Sequence, residues 1–546
     1  MKKTILVTLL MLFATSAVAQ TQEVYKFWVK LRDKAGTAYT LENPSAYLGP
    51  RALQRRQRQH IAVDSLDLPV SHAYLQTLRQ AGFMIQNRTK WLNGVTLFAT
   101  DSSLATVLDS LPFVDTAYFC EKGTVEAPSV VAQGRGLDYE PIDYQEPFDT
   151  AYYHYSYPQI AQLNGIALHR NGFEGQGIVI GVCDGGFPGV DTTVFFQTMR
   201  EEGRLLATRD FVWSGNQVFS VHGHGTKVLS LMASYLPGFF VGTAPKATYV
   251  LCRTENTMSE TLLEEYNWIS AAEYLDSLGA DIITTSLGYF HFDDSTQDHT
   301  LADLDGKTTP MSVASDIAVT RGMLVVNSAG NDGAEGSGRL NSPADAARVL
   351  TVGAVDEEGN PATFSSFGPT ADLRLKPDVM ALGTHVYGAT AEGCLSQASG
   401  TSLSAPIMAG MMACLWQRYP RLIPAQLCDS VRRWGDRATS PDIHCGFGLP
   451  DFSRPFGPDT VPELSIPHKL AAFELTLYPN PCRQQVTVRS THPGILLLRD
   501  RLGREVRRVP FDTPHMQLTL SHLPAGLYYV TLVTPAATLT RRLLLQ

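Results

Sequence analysis

Between residues 152 and 455 the chain alternates short, continuously apolar runs with longer segments of helical spacing. The runs are residues 177–182, 248–252, 281–287, 323–326 and 348–355; residues 261–278 and 311–320, lying between them, carry apolar side chains at helical intervals. A strand that is apolar on both sides has to be covered on both faces, and strands joined by a crossover helix run parallel. The pattern therefore predicts a parallel sheet between two layers of helices. In such sheets the working residues gather at the carboxyl ends of the strands.

The 546 residues exceed one ordinary domain, and the flanks of this region follow other patterns. Residues 20–122 run strand, helix, two strands about an Asn93-Gly94 turn, helix, strand, which predicts a small open α+β sandwich. Residues 123–151 have no sustained period and are rich in Gly, Pro, Asp and Glu, as a linker is, and residues 456–472 form a second, Pro-rich one. Residues 473–546 hold only short strand-like runs between turns and predict a β-sandwich. At the front, Lys2 and Lys3 precede an apolar stretch and the small residues Ala17-Val18-Ala19. Residues 1–19 thus read as a secretory signal peptide, and no other run approaches the length of a membrane span.

An exported chain with eight cysteines is permitted disulfides. Cys428 and Cys445, on either side of a polar loop, are the first pair to test, while Cys183, inside an apolar run, reads as a buried thiol. A net charge of -9 and one short basic run, residues 51–58, give no footprint for nucleic acid; the basic run reads as a solvated helix face.

Three short segments carry the chemistry. Asp184 closes the run 177–182 and is followed by Gly185-Gly186. His222-Gly223-His224-Gly225-Thr226 leads into an apolar helix, and Ser399-Gly400-Thr401-Ser402-Leu403-Ser404-Ala405-Pro406 leads into another. A serine is a weak nucleophile without a base to take its proton and an acid to orient that base. Gly400 allows a tight turn and close approach of a substrate. A serine at a helix start brings unpaired N–H groups and the positive dipole end to a developing oxyanion. Pro406 is expected in the first turn, where its missing donor costs nothing. Asn331, in the segment following the run 323–326, offers a further amide donor for the oxyanion. Singly, each of these is more often a turn or a cap. In this order, on this pattern, they predict acyl transfer.

Residues 152–455 resemble the subtilase family, whose order of catalytic residues is Asp, His, Ser. Further matching segments are Gly242-Thr243-Ala244-Pro245, Ser286-Leu287-Gly288, Phe364-Ser365-Ser366-Phe367-Gly368-Pro369 and Lys376-Pro377-Asp378-Val379. The resemblance implies an α/β, subtilisin-like parallel sheet flanked by helices, and a serine-type endopeptidase acting on polypeptide substrates. It implies Asp184, His224 and Ser402 as catalytic residues with Asn331 at the oxyanion, and Ser286, Leu287 and Gly288 as the segment that pairs with substrate. Its His-Gly-Thr motif selects His224 over His222. Two positions depart from the family: Gly185 replaces a hydroxyl residue after the acid, and Lys227 replaces a histidine after His-Gly-Thr.

The front domain resembles the propeptides of subtilases, which implies a precursor cut between residues 121 and 150, with its own propeptide as a partner. Residues 473–546 resemble the type A sorting domain of the type IX secretion system, through Leu477-Tyr478-Pro479-Asn480-Pro481, Leu523-Pro524-Ala525-Gly526-Leu527-Tyr528-Tyr529-Val530 and the basic Arg541-Arg542. That implies export through the periplasm and outer membrane, to the medium or the cell surface, with the type IX secretion machinery as a partner. The chemistry calls for no cofactor. A structural Ca2+ is compatible with the family, but no ligand loop is assigned. No nucleic acid partner and no integral membrane segment are expected. Two alternatives stay open: a peptide ligase or cyclase using the same acyl-enzyme, and a surface adhesion or scaffold protein with a poorly active site.

Overall fold

The computed structural model describes residues 23–124, 148–454 and 475–546, the last apart from residues 491–493, 501–503, 512–514, 522 and 534–537. The signal peptide at 1–19, the linker at 456–472 and residues 125–147 of the linker at 123–151 lie outside the described residues. The chain divides into two compact units, the first holding the front domain and the central region, the second the C-terminal strands.

Seven strands of the first unit form one sheet, in the order Val379–Leu382, Leu350–Val355, Leu324–Ser328, Ile282–Thr285, Val179–Asp184, Thr248–Arg253, Leu205–Asp210. Every neighbouring pair runs parallel. Alternate side chains enter opposite cores: Ile180 and Val182 join one, Val179 and Cys183 the other. The helices His224–Ala233 and Thr401–Arg418 cover the first core, and Leu262–Leu278 and Pro310–Thr320 the second. The helix Leu262–Leu278 starts at a Thr261/Glu264 capping box and ends at Gly279, whose φ of 89° suits a residue without a Cβ.

The sequence pattern omits the two outermost strands. In Leu205–Asp210 only the last residue is buried, so no continuous apolar run is required of it. Val379–Leu382 is fully buried but only four residues long, too short to show a period.

The front domain is a four-stranded antiparallel sheet in the order Met84–Thr89, Gly94–Ala99, Glu23–Leu31, Val114–Thr124. It lies on the helix Leu262–Leu278, where the rings of Trp28 and Tyr266 stack with centroids 4.3 Å apart. Glu273 accepts the backbone N–H groups of Lys90 and Trp91 at 2.6 and 2.8 Å.

The basic run corrects the reading of a solvated face. It forms the helix Pro50–Arg58, but Arg55 and Arg56 are buried. The cause is their placement across the end of Leu262–Leu278, where the Gly49 N–H donates to the Ser277 carbonyl at 2.8 Å. Asp276 there receives Arg55, Arg56 at 2.9 Å and Lys90 at 3.0 Å. Arg56 also pairs with Asp67 at 2.8 Å, and Arg321 of the central region reaches that same Asp67 at 3.3 Å. Burial alone would raise the Asp276 pKa; Lys90, Arg55 and Arg56 together hold it below the ordinary carboxylate value.

A Cys428–Cys445 disulfide is not formed, for all eight cysteines are free thiols. Cys428 packs in the large core with the helix Thr401–Arg418, whereas Cys445 joins a separate small cluster with Val355 and Met380. Cys183 is buried, and burial pushes its thiol pKa up.

The second unit is a β-sandwich. One sheet orders Leu475–Tyr478, Gln485–Ser490, His515–Thr519; the other orders Glu505–Phe511, Gly494–Asp500, Gly526–Val533, Thr538–Leu545. Val486 and Val488 from the first meet Leu496, Val530 and Leu543 from the second in one core. Glu505–Phe511 is an edge strand with only Phe511 buried. Among the described residues no helix is long and apolar enough to cross a membrane.

Candidate active site

Asp184 is the last residue of its strand and is 1 % exposed. His224 is the first residue of its helix, and its Nδ1 stands 3.0 and 2.9 Å from the two carboxylate oxygens. The carboxylate raises the pKa of His224 above that of an ordinary imidazole, against the opposing effect of burial. The neighbouring Gly185 N–H donates to Asp184 Oδ1 at 2.8 Å. A Cβ on Gly185 would stand 2.7 Å from Thr257 Cγ2, so Thr257 occupies the space a hydroxyl residue would need. His222 is exposed and only accepts the His224 N–H, at 3.3 Å. Lys227 reaches the Ser396 hydroxyl at 2.7 Å, within the hairpin Val386–Ala389/Leu395–Ala398.

Ser402 is the second residue of the helix Thr401–Arg418, which packs along His224–Ala233. The two helix starts therefore share the carboxyl edge of the sheet. Pro406 corrects the expectation of a first-turn proline. It sits inside the helix and removes the bond that the Ser402 carbonyl would accept from residue 406. The Ser286 hydroxyl supplies the replacement, donating to the Ser402 carbonyl at 2.7 Å. Ser286 thus fixes the backbone of Ser402 as well as lining the cleft.

Asn331 follows the strand Leu324–Ser328. Its side-chain oxygen accepts the Thr401 N–H at 2.9 Å and the Thr401 hydroxyl at 3.1 Å, which leaves Nδ2 as the outward donor. A Cβ on Gly400 would lie 3.0 Å from Ser402 Oγ and 3.6 Å from Asn331 Nδ2, so the missing side chain leaves room between the hydroxyl and the amide. Ser402 Oγ makes no hydrogen bond to His224 among the described contacts; such bonds are often long until substrate is bound.

Ser286, Leu287 and Gly288 follow the strand Ile282–Thr285 and line, with Ser402 and Asn331, a cleft of about 290 Å³. A Cβ on Gly288 would come 2.7 Å from Asn341 Cβ and narrow it. The sequence pattern missed three acids in this cleft: Glu255, Glu260 and Asp332. Glu255 lies two residues past the strand Thr248–Arg253, so the rule of carboxyl-end placement could have found it. It accepts the hydroxyls of Tyr289 and, at 3.1 Å, Thr254; burial pushes its carboxyl up to about 8. Among the described residues no group of three or more His, Cys, Asp or Glu side chains is placed to hold a metal ion.

Residues 175–448 match the subtilase family, residues 26–133 the Bacteroidota propeptide domain of peptidase S8, and residues 476–546 a secretion system C-terminal sorting domain. The chain is 28% identical over 262 residues to subtilisin DY of Bacillus licheniformis, covering 48% of this chain and 84% of that one. It is 28% identical over 305 residues to the serine protease AprX of Bacillus subtilis (strain 168), covering 50% of this chain and 65% of that one, just under two thirds of the relative's length. With the membrane-bound transcription factor site-1 protease of Homo sapiens it shares 30% identity over 268 residues, covering 47% and 22%. The solved structure of MycP1 with its N-terminal propeptide removed superposes with a TM-score of 0.44 at 22% identity, over 56% of this chain and 98% of that one.

Proposed function

This chain belongs to the subtilase family of serine-type peptidases, and from that premise we propose that it is a secreted endopeptidase, made as a precursor, that cuts polypeptides through a Ser402 acyl-enzyme. Ser402 Oγ attacks the peptide carbonyl while His224 Nε2 takes its proton. The oxyanion of the tetrahedral intermediate is met by Asn331 Nδ2 and the Ser402 N–H. His224 then gives its proton to the leaving amine as the C–N bond breaks, and water, activated by the same imidazole, hydrolyses the ester. Asp184 holds the imidazole in the tautomer that leaves Nε2 free for the serine. The observation that carries this reading is the clasp of His224 Nδ1 by both Asp184 oxygens, on one helix start, beside the Ser402–Asn331 pair on the next. The chemistry calls for no cofactor.

The base has to be neutral to act, and Asp184 holds the His224 pKa above its ordinary value of 6.5. The value of kcat/KM is therefore expected to be low in acid and to rise through a pKa above 6.5. Asp184→Asn should move that limb to lower pH and reduce kcat by about 10⁴, the order known for this change in a Ser-His-Asp enzyme. An acid limb that stays in place in Asp184→Asn would argue against the pairing.

We further propose that the C-terminal sandwich delivers the enzyme by the type IX route to the medium or the cell surface, and that the front domain is the propeptide, cut away between residues 121 and 150. The matches to a sorting domain and to a propeptide domain support both. Deletion of residues 473–546 should leave the protein inside the cell envelope, measured by blotting of cell fractions; undiminished export would reject the sorting role.

A further inference from the structure

The cleft beside Ser402 has a one-sided charge. Glu255, Glu260 and Asp332 line it, and among the described residues no Lys, Arg or His does. Ser286–Gly288 and the oxyanion donor Asn331 share the cleft, so it receives the part of a substrate that becomes the acyl group.

Glu255 is the informative member. Only 7 % of it is exposed, so its carboxylate has given up most of its hydration. Its Oε1 accepts from Tyr289 and Thr254, whereas Oε2 has no hydrogen-bond partner among the described contacts. A carboxyl so buried, with one oxygen unengaged and other acids as its neighbours, has no counter-charge among the described residues and holds a proton near neutral pH until a cation stands opposite it. An ammonium or guanidinium entering the cleft would provide one together with charge-assisted hydrogen bonds, and a guanidinium can serve two acceptors at once.

The acidic wall continues away from Ser402. Glu260 also borders a second cleft of about 290 Å³, with Asp293 and Asp294, and there the last strand of the front domain contributes Lys122. The Lys122 ammonium pairs with Glu23 at 3.0 Å, so the acids of this wall are not neutralised by it.

We propose that Glu255 and Glu260 select substrates carrying lysine or arginine on the acyl side of the scissile bond, so that this enzyme cuts next to basic rather than aromatic or aliphatic residues. The proposal rests on the reading of the chain as a peptidase acting through Ser402.

The test is a cleavage profile of the secreted enzyme on a peptide library, followed by kcat/KM for paired peptides that differ only in Arg against Leu at the favoured position. The Arg peptide is expected to win by about tenfold or more. Glu255→Gln/Glu260→Gln should lower the Arg-to-Leu ratio about tenfold. The ratio is read within each enzyme, so a general loss of activity cancels. Glu260→Gln alone, at an exposed position, should lower the ratio in the same direction if the double variant folds poorly. In the precursor, residues 121–150 hold two basic side chains, Lys122 and Arg135, so a Ser402-dependent cut is expected after one of them. A preference for Phe, Tyr or Leu, or a ratio unmoved by both variants, overturns the specificity and leaves the peptidase reading standing. No hydrolysis of any library peptide, with no labelling by a fluorophosphonate, refutes the peptidase reading and the specificity with it.

Discussion

Replacing Ser402 with alanine is expected to abolish labelling by a fluorophosphonate probe and to lower kcat about 10⁶-fold, the size of loss subtilisin shows on removal of its own serine. The reasoning is geometric. Phosphonylation needs an oxygen nucleophile whose proton can be taken, and Ser402 is the hydroxyl set beside the outward amide of Asn331, one helix start away from the Asp184–His224 pair. Nucleophile and base act as one unit, so His224→Ala should cost about as much as Ser402→Ala. His222→Ala should stay within a few-fold of wild type, roughly what an exposed residue bonded only to a neighbouring N–H is worth. Asn331→Leu removes a donor that acts only when the oxyanion forms and should cost about 10²–10³ in kcat with little change in KM. Labelling that survives in Ser402→Ala, or a brisk His224→Ala enzyme, would remove the basis of the assignment.

Asp276→Ala, made in the uncut Ser402→Ala precursor, is expected to be the most damaging single change at the boundary between front domain and central region. Asp276 is buried and answers Arg55, Arg56 and Lys90 together. Removing it takes the shared carboxylate from three buried cations and leaves Arg56 only Asp67, and breaking a buried ion pair costs about 3–5 kcal/mol. Unfolding of the full-length precursor by denaturant would show this as a lowered midpoint. Arg51→Ala is the control. Arg51 also pairs across the boundary, with Asp281, but its side chain is 40% exposed, and solvent limits such a pair to about 1 kcal/mol. If Asp276→Ala proves no worse than Arg51→Ala, the buried cluster does not hold the two parts together. Because all three cations belong to the front domain, the same cluster explains why a cut between residues 121 and 150 need not by itself free the central region.

What the sequence determined by itself was whatever depends on neighbours along the chain. The interior strands of the parallel sheet are readable because a strand buried on both faces has to be apolar along most of its length, as Val179–Asp184 is up to its last residue and Thr248–Arg253 is between its ends. The candidate catalytic residues were readable because each stands at a strand end or helix start with glycines beside it, a local pattern. The terminal sandwich was readable from its strand-and-turn rhythm.

Tertiary structure alone decided what depends on a partner far away. Arg55 and Arg56 resembled any surface arginines until a carboxylate 221 and 220 residues distant came to lie across from them. Pro406 leaves a carbonyl unsatisfied in any helix, and only the fold shows that the Ser286 hydroxyl, 116 residues away, accepts that duty. Edge strands such as Leu205–Asp210 carry no such signal because a strand paired on one side and half exposed needs no apolar run. Glu255 is one acid in a loop like any other along the sequence, and only the sheet brings it into the cleft of Ser402. The physical reason is common to Arg55, Arg56, Pro406 and Glu255. Periodicity records which way a side chain points relative to its own backbone, whereas the cost of burying a charge or a polar group is set by what stands opposite it, and that is a property of the assembled fold.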